Sequence, residues 1–82
     1  MNQMVRTATQ LGAYIQDARV RKGISQQQLA EMIGKHQKTI SSIERGSDGT
    51  KLETILLVLA ALDLNIQIGT RTKASPDISD IF

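Results

Sequence analysis

Apolar side chains recur with helical spacing along the first half of the chain, in segments that are separated by glycines. The first segment runs from about Thr9 to Lys22 and is followed by Gly23. Glycine is common directly after a helix because it adopts the left-handed backbone conformation that ends many helices. The face with helical spacing consists of Leu11, Tyr14, Ile15 and Ala18. This pattern predicts an amphipathic helix over the segment.

A second, shorter helix is predicted between Ser25 and Gly34. Ser25 is followed three residues later by Gln28, which is the spacing of a capping box, where the two residues satisfy free N–H groups at the helix start. The apolar stripe of this helix consists of Leu29, Ala30 and Ile33. A helix of about two and a half turns is not stable alone, so we expect it to pack on its neighbours.

A third helix is predicted from about Gln37 to Arg45, with Gly46 directly after it. Its only apolar side chains are Ile40 and Ile43. Two interpretations fit this composition. The helix is either a solvated surface helix anchored by a narrow stripe, or a helix whose short polar side chains contact the edges of DNA bases. Composition alone favours the surface helix.

The fourth predicted helix begins near Thr50, and Glu53 lies three residues later, again with the spacing of a capping box. Eight apolar residues follow without interruption from Ile55 to Leu62. A surface helix needs an apolar stripe of only about 100°, whereas this segment is apolar almost all round. We therefore expect it to be covered on two sides, by the first three helices and by a second copy of the chain.

The pattern changes to a period of two after the fourth helix. Leu64, Ile66 and Ile68 alternate with polar residues, and Gly69 ends the run, which predicts one short β-strand. No second strand pattern is present, so the segment either pairs with the same strand of another protomer or lies as an extended tail on its own domain. The fourth helix and the strand together favour a homodimer. The residues expected at its interface are Leu57, Val58, Ala61, Leu64, Ile66 and Ile68.

We expect one domain over residues 1–69 and a flexible tail over residues 70–82, because the tail is polar and rich in turn-forming residues. Near its end the tail carries three apolar residues, Ile78, Ile81 and Phe82. These residues are either a short docking motif for a partner or without function, and the sequence leaves both alternatives open.

Composition excludes several classes of protein. The chain has 82 residues, the length of one domain, and no cysteine, which removes disulfides, zinc fingers and thiol enzymes. No apolar run reaches the roughly 18 residues of a membrane span, and the N-terminus lacks the apolar stretch of a signal peptide. We therefore expect a cytoplasmic protein without a membrane partner. With one histidine, no cluster of carboxylates and no glycine-rich phosphate loop, we expect no enzyme, metal or cofactor.

The distribution of charge adds one indication of a partner. The formal net charge is only +2, yet residues 1–46 carry +4 and residues 47–82 carry −2. A basic half and an acidic half favour an anionic partner, such as nucleic acid, on one face of the domain.

The stretch from Ser25 to Gly46 has the spacing of a helix-turn-helix, with a three-residue turn that starts with glycine. Its segments SQQQLAEMIG and TISSIERG resemble the XRE/Cro-type helix-turn-helix family of phage and bacterial repressors over residues 11–62. The resemblance implies a mainly α, four-helix domain like that of lambda repressor, which binds palindromic double-stranded DNA. The strand after the fourth helix and the Ala-Ser-Pro tail are similar to HipB-type antitoxins, which repress their own operon and bind a HipA-type kinase toxin.

The resemblance also implies roles for individual side chains. Base contacts are implied for Gln37, Lys38 and Ser42. Arg19 and Glu44 match a structural ion pair of the family. The residues implied as phosphate or auxiliary DNA contacts are Gln26, Lys35, His36, Thr39, Ser41 and Arg45.

Two residues of the turn depart from the family pattern. Lys35 replaces an apolar residue, so it either leaves the joint between the two helices less tightly packed or extends to a DNA phosphate. His36 stands where Ser or Thr usually caps the third helix, and it caps the helix, contacts DNA or is solvated.

The function expected from the resemblance is that of a sequence-specific DNA-binding repressor, the antitoxin of a HipBA-like toxin-antitoxin operon. Two alternatives remain at this point. One is a transcriptional regulator without a toxin partner, and the other is a protein-interaction module whose DNA-binding surface is vestigial.

Overall fold

The computed structural model describes residues 4–71, and four α-helices lie within that range. They are α1 (Ala8–Arg21), α2 (Gln26–Ile33), α3 (Gln37–Glu44) and α4 (Leu52–Ala61). The mainly α, four-helix prediction is confirmed, and each helix begins within two residues of its predicted start. The tail residues Ile78, Ile81 and Phe82, for which a docking motif was considered, lie outside the described residues.

Local sequence signals account for the ends of the first two helices. The hydroxyl of Thr7 accepts a hydrogen bond from the backbone N–H of Gln10 at 3.0 Å, which caps α1. The predicted capping box of α2 is present in both directions. The Ser25 hydroxyl accepts from the Gln28 N–H at 3.0 Å, and the Gln28 side chain accepts from the Ser25 N–H at 2.7 Å. α2 ends at Gly34, whose φ of 69° lies in the left-handed region that glycine adopts without strain.

The hydrophobic core joins all four helices, and α2 packs on both α3 and α4. Ile15, Leu29, Ile40 and Val58 are fully buried. Partly buried apolar side chains that pack against this core include those of Leu11, Ala18, Ile24, Ile33, Ile55, Ala61 and Leu64. Each helix is too short to be stable alone, so this shared core is what holds α2 and α3 in their relative orientation.

α1 and α3 pass each other in close contact at Gly12. A Cβ atom at position 12 would overlap the carbonyl oxygen of Ile43 and lie 2.8 Å from that of Glu44. Only glycine allows the backbones to approach this closely. The contact holds the C-terminal end of α3 against α1, and it was not expected from the sequence.

The predicted capping box of α4 is wrong. Lys51 is the N-cap residue, with no side-chain hydrogen bond to the helix start, and the helix begins at Leu52. The helix begins one residue later than predicted, so Thr50 precedes the N-cap residue. Glu53 lies in the first turn, but it is one residue too close to the N-cap for a capping box. A carboxylate in the first turn still interacts favourably with the positive end of the helix dipole.

No strand is present among residues 4–71. α4 ends in a Schellman motif, in which the Leu64 N–H donates to the Leu59 carbonyl at 2.8 Å and the Asp63 N–H donates to the Ala60 carbonyl at 3.1 Å. Asp63 has a φ of 59°, a conformation that is more common for glycine. Because a strand is defined by its hydrogen-bonded partner, pairing of residues 64–68 across a homodimer stays a prediction.

α4 has one face in the core and one face in solvent. Val58 is 0% exposed and Leu59 is 5% exposed, whereas Leu52, Leu56 and Leu57 are 65%, 47% and 41% exposed. Val58 was predicted at the dimer interface, and that placement is wrong because its side chain is fully buried in the core of its own chain. Within residues 4–71, no helix is long and apolar enough to cross a bilayer.

Candidate nucleic-acid interface

A three-residue turn sets the geometry of α2 and α3. The N–H of Lys35 donates to the Ala30 carbonyl at 2.9 Å, so the turn begins directly on the last residues of α2. The side chain of Ala30 is 2% exposed, and its small size lets the two helices approach closely. The arrangement of residues 26–44 is therefore that of a helix-turn-helix.

Burial of two isoleucines decides which face of α3 points outward. Ile40 and Ile43 are 0% and 3% exposed. Residues three apart lie on the same face of a helix, so most of the polar residues of α3 form its outer face, with the buried side chain of Glu44 as the exception. The two interpretations of α3 thus share one geometry, a helix with a buried apolar stripe and an outer polar face.

The predicted DNA-contacting residues lie at or near the solvent-facing side of this unit. Two of the predicted base-contacting residues, Gln37 and Lys38, are exposed in the first turn of α3, and Ser42 is half-buried one turn further on. Lys35 is exposed and does not fill the joint between the helices. The other predicted contacts that are exposed or half-buried are Gln26, His36, Thr39, Ser41 and Arg45.

His36 and Arg45 occupy the two ends of α3. His36 is the N-cap residue but makes no side-chain capping hydrogen bond. Of the three roles considered for this residue, which were capping, DNA contact and solvation, capping is therefore not observed. The Arg45 guanidinium donates a hydrogen bond to the Ser41 hydroxyl one turn earlier. This contact places the guanidinium beside the outer face of α3.

A chain of polar side chains runs from α1 through α3 and α2 to the first turn of α3. Arg19 Nε donates to Glu44 Oε2 at 2.7 Å and Arg19 Nη2 donates to Glu44 Oε1 at 3.1 Å, so Arg19 and Glu44 form a bidentate ion pair. Gln26 Nε2 also donates to Glu44 Oε1, at 3.0 Å. Gln37 Nε2 donates to Gln26 Oε1 at 3.2 Å.

The inner end of this chain is buried and the outer end is exposed. The side chains of Arg19 and Glu44 are 12% and 3% exposed, and Arg19 Nη1 also donates to the Ile24 carbonyl at 2.9 Å. The hydrogen bonds to Glu44 raise the pKa of Arg19 above its ordinary value, against the opposing effect of burial. The Arg19–Glu44 pair was expected from the sequence, whereas its connection to Gln26 and Gln37 was not.

A shallow groove separates α3 from the loop that follows it and the start of α4. It is lined on the α3 side by His36, Lys38, Thr39 and Ser42, and on the other side by Ser47, Gly49, Thr50, Lys51 and Thr54. Hydroxyl and ammonium groups predominate, and both donate hydrogen bonds to phosphate oxygens. The loop side of this groove was not expected from the sequence, although Ser47, Thr50 and Lys51, shortly after Gly46, were a usable signal.

Among residues 4–71, no three His, Asp or Glu side chains are grouped closely enough to hold a metal ion. Chemically, the described surface offers hydrogen-bond donors and acceptors on α3 and around the groove. Such groups recognise the edges of bases and the oxygens of phosphates.

Known proteins resemble this chain in both sequence and fold. A family model described as helix-turn-helix matches residues 15–68. Antitoxin HipB from two Escherichia coli strains is 33% identical over 78 residues, which cover 95% of this chain and 83% and 89% of the two relatives. Sequence identity at this level over nearly the whole chain extends well beyond the two helices of the motif.

Solved structures give the same result in three dimensions. A chain of the HipA-HipB-O2-O3 complex and one of the HipB-O4 20mer complex each match with a TM-score of 0.80 and 32% identity, over 87% of this chain and all of the other. The restriction-modification controller protein C.AhdI from Aeromonas hydrophila matches with a TM-score of 0.65 and 31% identity, over 71% of this chain and 84% of the other.

Proposed function

This chain belongs to the helix-turn-helix family and is a relative of the HipB antitoxins, and on that premise we propose that it is a sequence-specific repressor that binds double-stranded DNA as a homodimer. The proposal includes the role of antitoxin in a HipBA-like operon, with autorepression and binding of a HipA-type kinase toxin. Residues 1–69 form the DNA-binding and dimerisation domain in this proposal, and residues 70–82 form a tail.

The outer face of α3 is the single observation that carries DNA binding. Ile40 and Ile43 hold the helix in the core, while Gln37 and Lys38 are exposed in its first turn. A helix held in this way enters the major groove with its N-terminal residues toward the bases. A glutamine binds adenine at N6 and N7, and a lysine donates to guanine O6 and N7. Ser42, one turn later, is the third proposed base contact.

Phosphate contacts on both sides of α3 position the helix in the groove. On the α2 side we assign Gln26, which lies in the first turn of α2 where the helix dipole also favours an anion. The other proposed phosphate or auxiliary contacts are Lys35, His36, Thr39, Ser41 and Arg45. To these we add Lys51, because it lines the far side of the groove that begins at Lys38.

The solvent-exposed face of α4 supports the homodimer. Leu52, Leu56 and Leu57 line a shallow apolar groove on this face, with Glu53 at its edge. Further along the chain, Ile66 and Ile68 are 50% and 96% exposed. Exposed apolar side chains in such number indicate an interaction site. We propose that Leu57, Ala61, Leu64, Ile66 and Ile68 of the sequence-based interface belong to the dimer, with Leu52 and Leu56 added.

A footprint on the DNA upstream of the chain's own gene tests the repressor proposal. We expect protection of a palindromic site whose two halves are separated by about one helical turn of DNA, roughly 34–36 Å, or a multiple of it. No protected sequence at physiological salt would contradict the proposal and would favour a protein-interaction module.

Purification of the protein from native cells at its natural expression level tests the antitoxin role. We expect a kinase of the HipA type to co-purify, since HipB forms a complex with HipA in a solved structure. The similarity to the controller protein C.AhdI supports a second candidate, a regulator without a toxin. If the protein protects an operator site but no kinase co-purifies with it, the result favours the regulator without a toxin.

A further inference from the structure

We propose that Asp48 is a modification site, at which the chain isomerises without an enzyme through a cyclic imide formed with the backbone nitrogen of Gly49. The product is an isoaspartyl link in the loop that lines one side of the groove beside α3. The chemical step is independent of the proposed function. Its consequence, weaker binding to DNA, rests on that function and adds a way in which it is lost with the age of the protein.

The sequence places an aspartate directly before a glycine at one position only, and neither asparagine of the chain precedes a glycine. The aspartates that precede a bulkier residue are Asp17, Asp63, Asp77 and Asp80. Attack by a backbone nitrogen on the preceding side chain is least hindered where the nitrogen belongs to a residue without a Cβ. The pair formed by Asp48 and Gly49 is therefore the one at which steric hindrance to this reaction is lowest.

The fold leaves this pair open to the reaction. Asp48 and Gly49 are both exposed. Within residues 4–71, no backbone carbonyl accepts a hydrogen bond from the N–H of Asp48, Gly49 or Thr50. The Gly49 N–H donates to the Ser47 hydroxyl at 3.3 Å, slightly beyond the usual distance for such a bond. The backbone here can therefore rotate to bring the carboxyl group onto the nitrogen without breaking any backbone hydrogen bond.

Asp17 shows how the fold prevents the same reaction elsewhere. It lies inside α1, where each N–H is bonded to the carbonyl four residues earlier. The nitrogen of Ala18 is therefore held away from the Asp17 carboxyl group. That carboxyl group is also engaged by Arg21, whose Nε lies 3.0 Å from Asp17 Oδ2. Asp17 is thus a control within the same chain.

The reaction has two steps, and its atoms balance. The Gly49 nitrogen attacks Cγ of the protonated Asp48 carboxyl group, so a C–N bond forms and the bond from Cγ to the hydroxyl breaks. The hydroxyl leaves with the N–H proton as water. Water then adds to a carbonyl carbon of the ring and reopens it. Opening at the original backbone carbonyl leaves the chain running through Cγ, with that carbonyl as the new carboxylate. One water is released and one consumed, so the mass is unchanged.

An isoaspartyl link changes the side of the groove that faces Lys38. It adds one carbon, and so about 1.5 Å, to the backbone of the loop, and it attaches the carboxylate directly to the main chain. Ser47, Gly49 and Thr50 line this side of the groove. Because α3 and α4 are both anchored in the core, the added length displaces the loop between them together with its hydroxyl groups. We therefore expect the loss of one phosphate contact.

Peptide mapping of the full-length protein, stored at physiological temperature and pH, tests the modification. Trypsin releases residues 46–51 as one peptide, with Asp48 as its only aspartate, and residues 7–19 as another, with Asp17. Over weeks, we expect the first peptide to divide into two chromatographic peaks of equal mass. The new peak should be a substrate for an isoaspartyl methyltransferase. A single peak for residues 46–51, or equal conversion of both peptides, would overturn the inference.

Two comparisons attribute the reaction to the open loop and to Gly49. A free peptide of residues 46–51 should convert at a rate close to that in the folded protein, and strong protection by the fold would contradict the inference. Gly49→Ala should slow the conversion several-fold, because its methyl group hinders the attack. Alanine fits here, since a Cβ would have Ser47 Oγ at 3.9 Å as its nearest neighbour. Unchanged conversion in this variant would exclude the route through the Gly49 nitrogen.

Titration of operator DNA tests the consequence. The isolated isoaspartyl form should bind about tenfold more weakly than fresh protein, on the scale of one hydrogen bond to a charged group. The slope of log affinity against log salt should fall in magnitude by about 0.9, while the base preference set by α3 is retained. Stored Gly49→Ala, compared with its own fresh sample, controls for other changes during storage. Unaltered affinity of the isoaspartyl form would overturn the consequence, whereas the proposed function fails only if fresh wild-type protein binds no operator.

Discussion

α3 and α4 are anchored in the same core but present opposite chemistry to solvent. α3 buries Ile40 and Ile43 and exposes polar side chains. α4 buries Val58 and Leu59 yet leaves Leu52, 65% exposed, in water. A polar outer face is compatible with solvent, whereas burial of an apolar face contributes a favourable free energy of roughly 25 cal/mol for each Å² removed from water. The two helices are therefore suited to different partners.

The two outer faces also differ in how their side chains are held. Gln37 on α3 is tied by a hydrogen bond to Gln26 and through it to a buried ion pair. The leucines on the outer face of α4 have no such directional contacts. A surface for base recognition depends on the orientation of donors and acceptors, whereas an apolar interface depends on area and fit. The following experiments probe this contrast.

The largest expected effect is on the core side of α4. Leu59→Ala should lower the free energy of unfolding by about 3 kcal/mol, because it leaves a cavity in a tightly packed core. Chemical denaturation checks this value. Leu56→Ala removes the same atoms from a residue that is 47% exposed, and at protein concentrations where the chain is monomeric it should cost less than about 1 kcal/mol. Equal losses for the two variants would contradict the assignment of the two faces.

The next largest effect is expected from a charge on the outer face of α4. Leu57→Asp should convert the dimer to a monomer and weaken operator binding by about 100-fold, because the second half-site is no longer linked to the first. Sedimentation and DNA titration measure the two effects. Val20→Asp is the control, since Val20 is an exposed apolar residue on α1. If Leu57→Asp remains a dimer, the proposed interface is wrong.

On α3 the expected effects are smaller and depend on sequence. Lys38→Ala should cost about 1–3 kcal/mol at the preferred site and relax the choice of base, because a base contact is lost. Lys51 lines the other side of the same groove, and Lys51→Ala should weaken binding to all sequences alike. Titration of preferred and unrelated duplexes compares them. Wild-type affinity for Lys38→Ala would contradict its assignment as a base contact.

The smallest effect concerns the exposed ion pair that joins the end of α1 to the end of α4. Lys22 Nζ lies 2.7 Å from Asp63 Oδ2, and this hydrogen bond lowers the pKa of Asp63 from its ordinary value of 3.8. A lowered pKa stabilises the fold above the ordinary value, and the stabilisation is lost as the pH falls through the pKa of the folded state. The difference in Tm between wild type and Lys22→Met should therefore be small at pH 7 and vanish in acid. A difference that persists unchanged in acid would exclude this ion pair as its cause.

Two capping-box patterns show how well local sequence predicts the start of a helix. Ser25 with Gln28 and Thr50 with Glu53 have the same spacing, but only the first forms both hydrogen bonds. Gln28 lies three residues after the observed cap of α2. The start of α4 follows a loop whose path places the cap at Lys51, so the second pair is one residue out of register. Spacing therefore predicted that a helix would begin, and not at which residue.

The sequence by itself determined the four helices, the turn at Gly34 and the polar outer face of α3. Those features follow from periodicity, caps and residue type, which act over a few neighbouring residues. Only the tertiary structure decided that Val58 is buried while Leu56 is exposed, because an all-apolar helix has no pattern that distinguishes its faces. It also decided the link from Glu44 through Gln26 to Gln37, since these residues are 18 and 11 positions apart and meet only when the helices pack.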